Sequence, residues 1–282
     1  MTCRFLFTMA LGLSLFALIS CGGTPESTAT EHSPPPVELN YTPPTQALFD
    51  SLFAQFDAQG TFLLQDIKAD TIYVHNETRA KIGYLPASTF KIPNTLIALE
   101  LGVVDTAEVF LWDGTKRFAR RWNQDLKLPN AFRYSAVWVY QIIAERVGQE
   151  RYREYLQKIN YGNANPGPDV RMFWLDGDLR ISAYEQVEFL RRLENGSLAF
   201  GKATQNTFRE IFSFEKTTTY DWKAKTGWTT EPDPDIGWVV GWIERGEERY
   251  IYAMNLDVEN DEHVKARVEI ARAVFNSMGL LD

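Results

Sequence analysis

Apolar and polar positions alternate in three different rhythms along this chain. Residues 45–57 place apolar side chains at 48, 49, 52, 53 and 56, the spacing of one helical face. Residues 61–66 and 71–75 are short β-prone runs on either side of Lys68-Ala69-Asp70, a pattern that predicts a hairpin. Ser88 to Leu101 is apolar nearly all round, which predicts a buried helix closed by Gly102. Its Pro93 falls within the first two turns, where proline is tolerated. Val137–Val147 predicts a second apolar helix stopped by Gly148, and Glu150–Ile159 and Ala183–Leu193 predict amphipathic ones. The rhythm then shortens. Tyr220–Thr226, Ile236–Ile243 and Arg249–Leu256 predict an antiparallel meander, and 261–278 a closing helix. Helices in the middle with strands at both ends predict an α+β fold, with the first hairpin joining the late strands in one sheet.

The first 44 residues obey none of these rhythms. An apolar run from Phe5 to Ile19 follows the single charge Arg4; at 15 residues it is short for a membrane span of about 20 and fits a secretory signal. It ends Leu18-Ile19-Ser20-Cys21, a small residue before cysteine, which resembles the cleavage box of bacterial lipoproteins. That likeness implies a signal peptide over 1–20 and lipidation of Cys21, and hence a secreted, periplasmic, membrane-anchored protein. Residues 22–44 hold six of the chain's 13 prolines and predict a tether. The folded domain is expected over 45–282.

Composition narrows the classes. Hydrophobic residues are 45% and charged residues 23% of 282, as in a soluble globular protein. Net charge is −8, with no block of Lys and Arg interrupting the balance, which argues against nucleic acid as a partner. Cys3 and Cys21 are the two cysteines, so the folded part has no disulfide framework and no cysteine metal site. His32, His75 and His263 are scattered without a His-x-x-x-His spacing, which argues against a zinc hydrolase. Glu231, Asp233 and Asp235 form an acidic loop, but its alternating prolines and missing loop glycine do not suit Ca2+.

Four short motifs carry candidate chemistry. Ser88-Thr89-Phe90-Lys91 puts a hydroxyl and an amine three residues apart on one helix face, with free N–H groups at the helix start. The pattern is common by chance, and Ser213-Phe214-Glu215-Lys216 repeats it. Lys91 differs in lying in an apolar helix, where burial lowers an amine's pKa and leaves it neutral and nucleophilic. Ser135-Ala136-Val137 reads on its own as a helix N-cap. Tyr161-Gly162-Asn163 reads as a helix end. Lys225-Thr226-Gly227, followed by Trp228, reads either as a strand end with a turn glycine or as a cleft-lining strand whose glycine admits a ligand.

The order of these motifs, with Pro86-Ala87 before the first and Phe173-Trp174-Leu175 and Leu179-Arg180-Ile181-Ser182 after the third, resembles the class D (oxacillinase-type) β-lactamases. The resemblance covers about residue 50 to the C-terminal helix. It implies the serine β-lactamase and penicillin-binding transpeptidase-like fold, an antiparallel sheet flanked by helices plus a helical lobe. It implies hydrolysis of small-molecule β-lactams through a Ser88 acyl-enzyme. Lys91 would be carbamylated by CO2 or bicarbonate and act as general base, with no other cofactor and no metal. Val137, Trp174 and Leu175, with Phe90, would line the carbamate pocket. Ser135 would relay a proton, polarised by Lys225. The N–H groups of Ser88 and Trp228 would form the oxyanion hole. Thr226, Gly227, Trp228 and Arg267 would bind substrate, Arg267 through its carboxylate. The acidic loop after Trp228 would repel bulky anionic substrates. Two other readings share the motifs: a penicillin-binding D,D-peptidase, and a non-hydrolysing β-lactam sensor. A monomer or a homodimer is equally compatible.

Overall fold

The computed structural model describes residues 41–229 and 233–282. The expected signal, Cys21 and most of the tether lie outside the described residues. The unit Asn40–Asp282 carries the fold.

In chain order the helices are α1 (Gln46–Gln55), α2 (Glu77–Ala80), α3 (Lys91–Glu100), α4 (Leu128–Arg133), α5 (Val137–Val147), α6 (Gln149–Lys158), α7 (Ala183–Glu194), α8 (Lys202–Ile211) and α9 (Asp261–Ser277). The strands are β1 (Gly60–Asp66), β2 (Thr71–His75), β3 (Val109–Phe110), β4 (Leu126–Lys127), β5 (Glu215–Lys216), β6 (Asp221–Thr229), β7 (Asp235–Arg245) and β8 (Glu248–Val258). Six strands form one antiparallel sheet in the order β2-β1-β8-β7-β6-β5, so the first hairpin does join the late meander. β3 and β4 pair separately as a small hairpin.

The sheet is buried on both faces. Phe62, Leu64, Trp222, Val239, Tyr252 and Met254 face one core with Phe49 and Phe53 of α1 and Ile270, Val274 and Phe275 of α9. Leu63, Trp238, Val240, Trp242, Ile251 and Ala253 face the second core, built with the helical lobe α3–α8. A sheet covered twice needs apolar residues on both sides, which is why the late strands read as near-continuous apolar runs.

Three boundaries depart from the sequence reading. The helix expected from Ser88 begins instead as a 3-10 turn over Ala87–Phe90, and regular α-helix starts at Lys91. The first strand starts one residue before the expected run from 61, with Gly60 as the first residue of β1. The meander's first strand runs on to Thr229, so Lys225, Thr226 and Gly227 lie inside β6 and not at its end. The pairing continues there, with Gly227 opposite Trp238 and Trp228 opposite Gly237. The second Ser-x-x-Lys falls apart, because Ser213 follows α8 while Lys216 sits on β5, 3.2 Å from Asp221.

Candidate active site

The turn that carries Ser88 is a strained element. Ala87 adopts φ 49°, a left-handed conformation that a non-glycine residue keeps only where its surroundings impose it. The Thr89 hydroxyl donates to the Pro86 carbonyl at 2.6 Å, and the Trp238 indole donates to the Leu85 carbonyl at 2.9 Å. In a 3-10 turn residues i and i+3 eclipse, which stacks Lys91 over Ser88. The Lys91 amine accordingly donates to the Ser88 hydroxyl at 2.9 Å. Ser88 keeps 9% exposure while Lys91 has none. Complete burial, and secondarily the charge of Lys225, hold the Lys91 amine well below the ordinary lysine range.

Ser135 is not an N-cap. Ala136 occupies the cap position of α5 without a side-chain cap bond, and Ser135 itself adopts φ 59°. Its strained backbone aims the hydroxyl across to β6, where the Lys225 amine donates to it at 2.9 Å and to the Thr226 carbonyl at 2.9 Å. Burial first, then Arg267, pushes Lys225 down to about 7.

The edge of β6 supplies the next group. The Trp222 carbonyl accepts from Phe214 on the β5 side of the strand. Backbone polar groups alternate sides along an unbroken antiparallel ladder, so Ala224, Thr226 and Trp228 point the same way. β5 pairs with Asp221 and Trp222, and farther along β6 the turn that carries Ser88 packs against Gly227. The Trp228 N–H therefore leaves β6 on the side away from β7, and the Ser88 N–H lies where helical turns leave donors without internal acceptors. Gly227 has a different task from the one expected. What approaches it is the protein's own backbone: a Cβ there would sit 3.0 Å from the Pro86 carbonyl and 3.1 Å from Thr89 Cγ2.

Arg267 reaches β6 and β7 from α9. It is 7% exposed, its Nε donates to the Val264 carbonyl at 2.9 Å, and Nη1 donates to the Gly227 carbonyl. Burial lowers it to about 10, and it forms no salt bridge among the described residues. Such a buried cation without a carboxylate partner is suited to an anionic ligand. Thr226 is half-buried and Trp228 is exposed, its indole donating to Asp235 at 2.8 Å.

Trp174 is fully buried and stacks on Phe90 with centroids 5.6 Å apart. Its indole N–H has no acceptor among the described residues. Leu175 packs against the same core, and its carbonyl accepts from Thr229 at 2.9 Å. Val137 is the half-buried first residue of α5. Lys91 also lies 5.0 Å from the Tyr140 ring. An amine held below its ordinary range by burial, together with a buried Trp174 donor left without an acceptor among the described residues, fits a carbamylated lysine, which adds an anion that such a donor can bind.

Sequence reasoning missed the parts that hold this site in place. Tyr161-Gly162-Asn163 is more than a helix end. Asn163 bonds Arg180 both ways, accepting its N–H at 3.0 Å and donating to its carbonyl at 2.9 Å, which closes the loop carrying Trp174. Tyr84 bridges Ile181 from the other side. Gln186 was overlooked as one polar residue on an amphipathic helix. It is fully buried and donates to the Thr89 hydroxyl at 3.0 Å. The signal was available: 186 falls on the apolar face of α7 with Ala183, Val187 and Leu190.

A family model described as the penicillin binding protein transpeptidase domain matches residues 60–276. Beta-lactamase OXA-5 of Pseudomonas aeruginosa is 42% identical over 233 residues, covering 81% of this chain and 87% of its own. Beta-lactamase OXA-48 of Klebsiella pneumoniae is 40% identical, covering 79% and 84%. This chain belongs to the class D β-lactamases. Among solved structures, the class D β-lactamase FUS-1 of Fusobacterium nucleatum subsp. polymorphum superimposes with a TM-score of 0.82 at 38% identity, covering 85% of this chain and all of that one. The class D β-lactamase YbXI from Nostoc gives 0.81 at 38% identity, covering 83% and 99%.

Proposed function

We propose that this β-lactamase opens the lactam ring by covalent catalysis on Ser88, and that the buried, depressed-pKa Lys91 beside it is carbamylated. The observation that carries the reading is the fully buried amine 2.9 Å from the Ser88 hydroxyl. Ser88 attacks the lactam carbon, the carbon–nitrogen bond breaks, and the Ser135 hydroxyl passes a proton to the leaving nitrogen. Lys225, neutral in a good fraction near pH 7, keeps Ser135 polarised. The Ser88 and Trp228 N–H groups hold the negative charge that develops on the carbonyl oxygen. Arg267 and Thr226 receive the substrate carboxylate. Carbamylation of Lys91 would supply a general base at Ser88, held by the Trp174 N–H. Water then hydrolyses the Ser88 ester and frees the enzyme. The buried Trp174 donor without an acceptor among the described residues, with Val137 and Leu175 in place, supports a carbamylated base that deacylates, and so favours turnover over a D,D-peptidase.

The N-terminal reading completes the proposal. Residues 1–20 direct export and Cys21 takes the lipid that anchors the enzyme at the periplasmic membrane, with residues 22–44 as tether. Intact-mass measurement after quenching with a slow β-lactam tests the covalent step. One substrate mass on the peptide holding Ser88, absent in Ser88→Ala, is expected alongside many turnovers per enzyme with a fast substrate. Stoichiometric acylation without turnover would move the protein to the sensor or peptidase class.

A further inference from the structure

The acidic surplus of this chain is unevenly spread. Residues 111–133 hold six Lys or Arg against two Asp, a local charge of +4 on a chain of −8. This corrects the reading that no basic block interrupts the balance. Asp113 is taken up by Arg117 in a bidentate pair of 2.9 and 2.8 Å. Lys116, Arg120, Arg121, Lys127 and Arg133 form no salt bridge among the described residues.

The same segment presents apolar side chains to solvent. Residues 111–125 are the excursion of the β3–β4 hairpin, while Lys127 lies on β4 and Arg133 on α4; at the tip Phe118 is 87% exposed, with Leu111 at 73% and Val109 of β3 at 44% near the base. The tip is built to stay extended. Arg117 and Asn123 bond reciprocally, N–H to side-chain oxygen at 2.8 Å and side-chain amide to carbonyl at 3.0 Å, which closes the loop below Phe118. Phe118 meets only the edge of Trp122, with centroids 5.1 Å apart, and does not fold back into the core. The foot is fixed as well, because the Trp122 indole donates to the Tyr134 carbonyl at 2.8 Å and Trp138 donates to the Trp122 carbonyl at 3.1 Å.

We propose that this rigid loop docks the catalytic domain on an anionic phospholipid surface, with Phe118 entering the headgroup region and Lys116, Arg120 and Arg121 meeting lipid phosphates. A protruding aromatic ringed by unpaired cations is the composition that binds such interfaces. Charge complementarity selects this occupant. A second copy docking through the same loop, with four Lys or Arg against two Asp over 111–125, would set +2 against +2. A small anionic substrate needs one cation and gains nothing from an outward Phe. The inference rests on the lipid-anchor reading for its setting, since an anchored domain lies within reach of the bilayer, and the docking contact itself needs no acyl chain. Because the foot is bonded to the residue before Ser135, docking would also fix how the active site faces the membrane.

The test is vesicle co-sedimentation of the chain from Gly22 onward, which keeps every described helix and strand and whose folding is verified by β-lactam hydrolysis. Vesicles of phosphatidylcholine with 30% phosphatidylglycerol, on the order of the anionic content of a membrane leaflet, are compared with phosphatidylcholine alone. Binding to the anionic vesicles only, released by about 0.5 M salt, is expected. Each cation multiplies partitioning about 5-fold, so Lys116→Glu with Arg120→Glu lowers it at least about 25-fold, and Phe118→Ser lowers it about 10-fold, with hydrolysis in solution unchanged. Equal sedimentation with both vesicles, or unaltered binding by the variants, would overturn the proposal. So would self-association lost in Phe118→Ser, or altered KM for anionic substrates without vesicle binding. The intact mass of the native chain reports acylation of Cys21 separately. Unacylated protein that still binds sinks the anchor reading and leaves the docking surface standing.

Discussion

Replacing Gly227 by alanine should damage catalysis through the nucleophile turn, although residue 227 itself offers no reacting group. The added methyl would lie 3.0 Å from the Pro86 carbonyl, 3.1 Å from Thr89 Cγ2 and 3.3 Å from the Thr89 N–H nitrogen. Ordinary carbon contacts sit at about 3.5–4.0 Å, and contacts this short require strand and turn to give by a few tenths of an ångström. The turn cannot yield by rotating one flexible side chain, because two of the three contacts are backbone atoms. Overpacking of this kind costs about 1–3 kcal/mol. For a domain of this size that lowers Tm by about 2–4 °C per kcal/mol. The separation also draws Ser88 away from the Trp228 N–H. Misplacement by about 1 Å costs about 100-fold in rate, so a fall in kcat of about 10- to 100-fold is expected, with KM less affected. Steady-state hydrolysis and thermal unfolding read the two effects. Thr89→Ser removes one of the crowded atoms and should restore part of both in the double variant. A Gly227→Ala enzyme within twofold of the parent kcat, and unchanged in Tm, would refute the close-approach argument.

Four further outcomes follow from the same geometry. Trp174→Phe keeps the stacking on Phe90 and removes only the buried N–H; a hydrogen bond to a charged group contributes about 1.5–3 kcal/mol, so the bicarbonate needed for half-maximal activity should rise about 10- to 150-fold, read by titrating the rate. Gly162→Ala would put a methyl 2.0 Å from the Arg180 carbonyl at φ 52°, and should lower Tm by more than 5 °C, about what 2 kcal/mol or more brings in a domain this size, and loosen the loop that carries Trp174. Arg267→Ala should raise KM for carboxylate-bearing β-lactams by at least about 10-fold, since a charge-assisted pair is lost, while kcat changes less. Lys225 is held at about 7 when folded against an ordinary 10.5, so the unfolded chain binds the extra proton between those values; the stability carried by the neutral amine is full above the upper value and is lost as pH falls to the lower one. The unfolding midpoint should therefore rise between pH 7 and 9.5 relative to Lys225→Met, and a difference independent of pH would contradict the depressed pKa.

Periodicity located the long elements because their apolar faces are set by burial, as in Val137–Val147, whose limits match α5 at both ends. It missed α8 and the β3–β4 hairpin: α8 buries only Gln205, Phe208 and Ile211, and two-residue strands have no room for a rhythm. The strand through Lys225-Thr226-Gly227 looked finished at the glycine because sequence alone cannot show that the turn at Pro86 presses against it. Ser135 looked like a cap because a serine before a helix usually is one; only its φ and the amine from β6 reveal the other role. The motifs named the chemistry, and side chains remote in sequence, such as Gln186 and Trp238, supply the placement.

The central claim is that Lys91 works as a carbamylated base in a turning-over β-lactamase. Hydrolysis of a chromogenic β-lactam by the chain from Gly22 onward, measured in degassed buffer and across added bicarbonate, tests it most directly. The account predicts turnover that rises saturably with bicarbonate and is abolished in Lys91→Ala. A rate indifferent to bicarbonate, or a Lys91→Ala enzyme that still turns over, would contradict it.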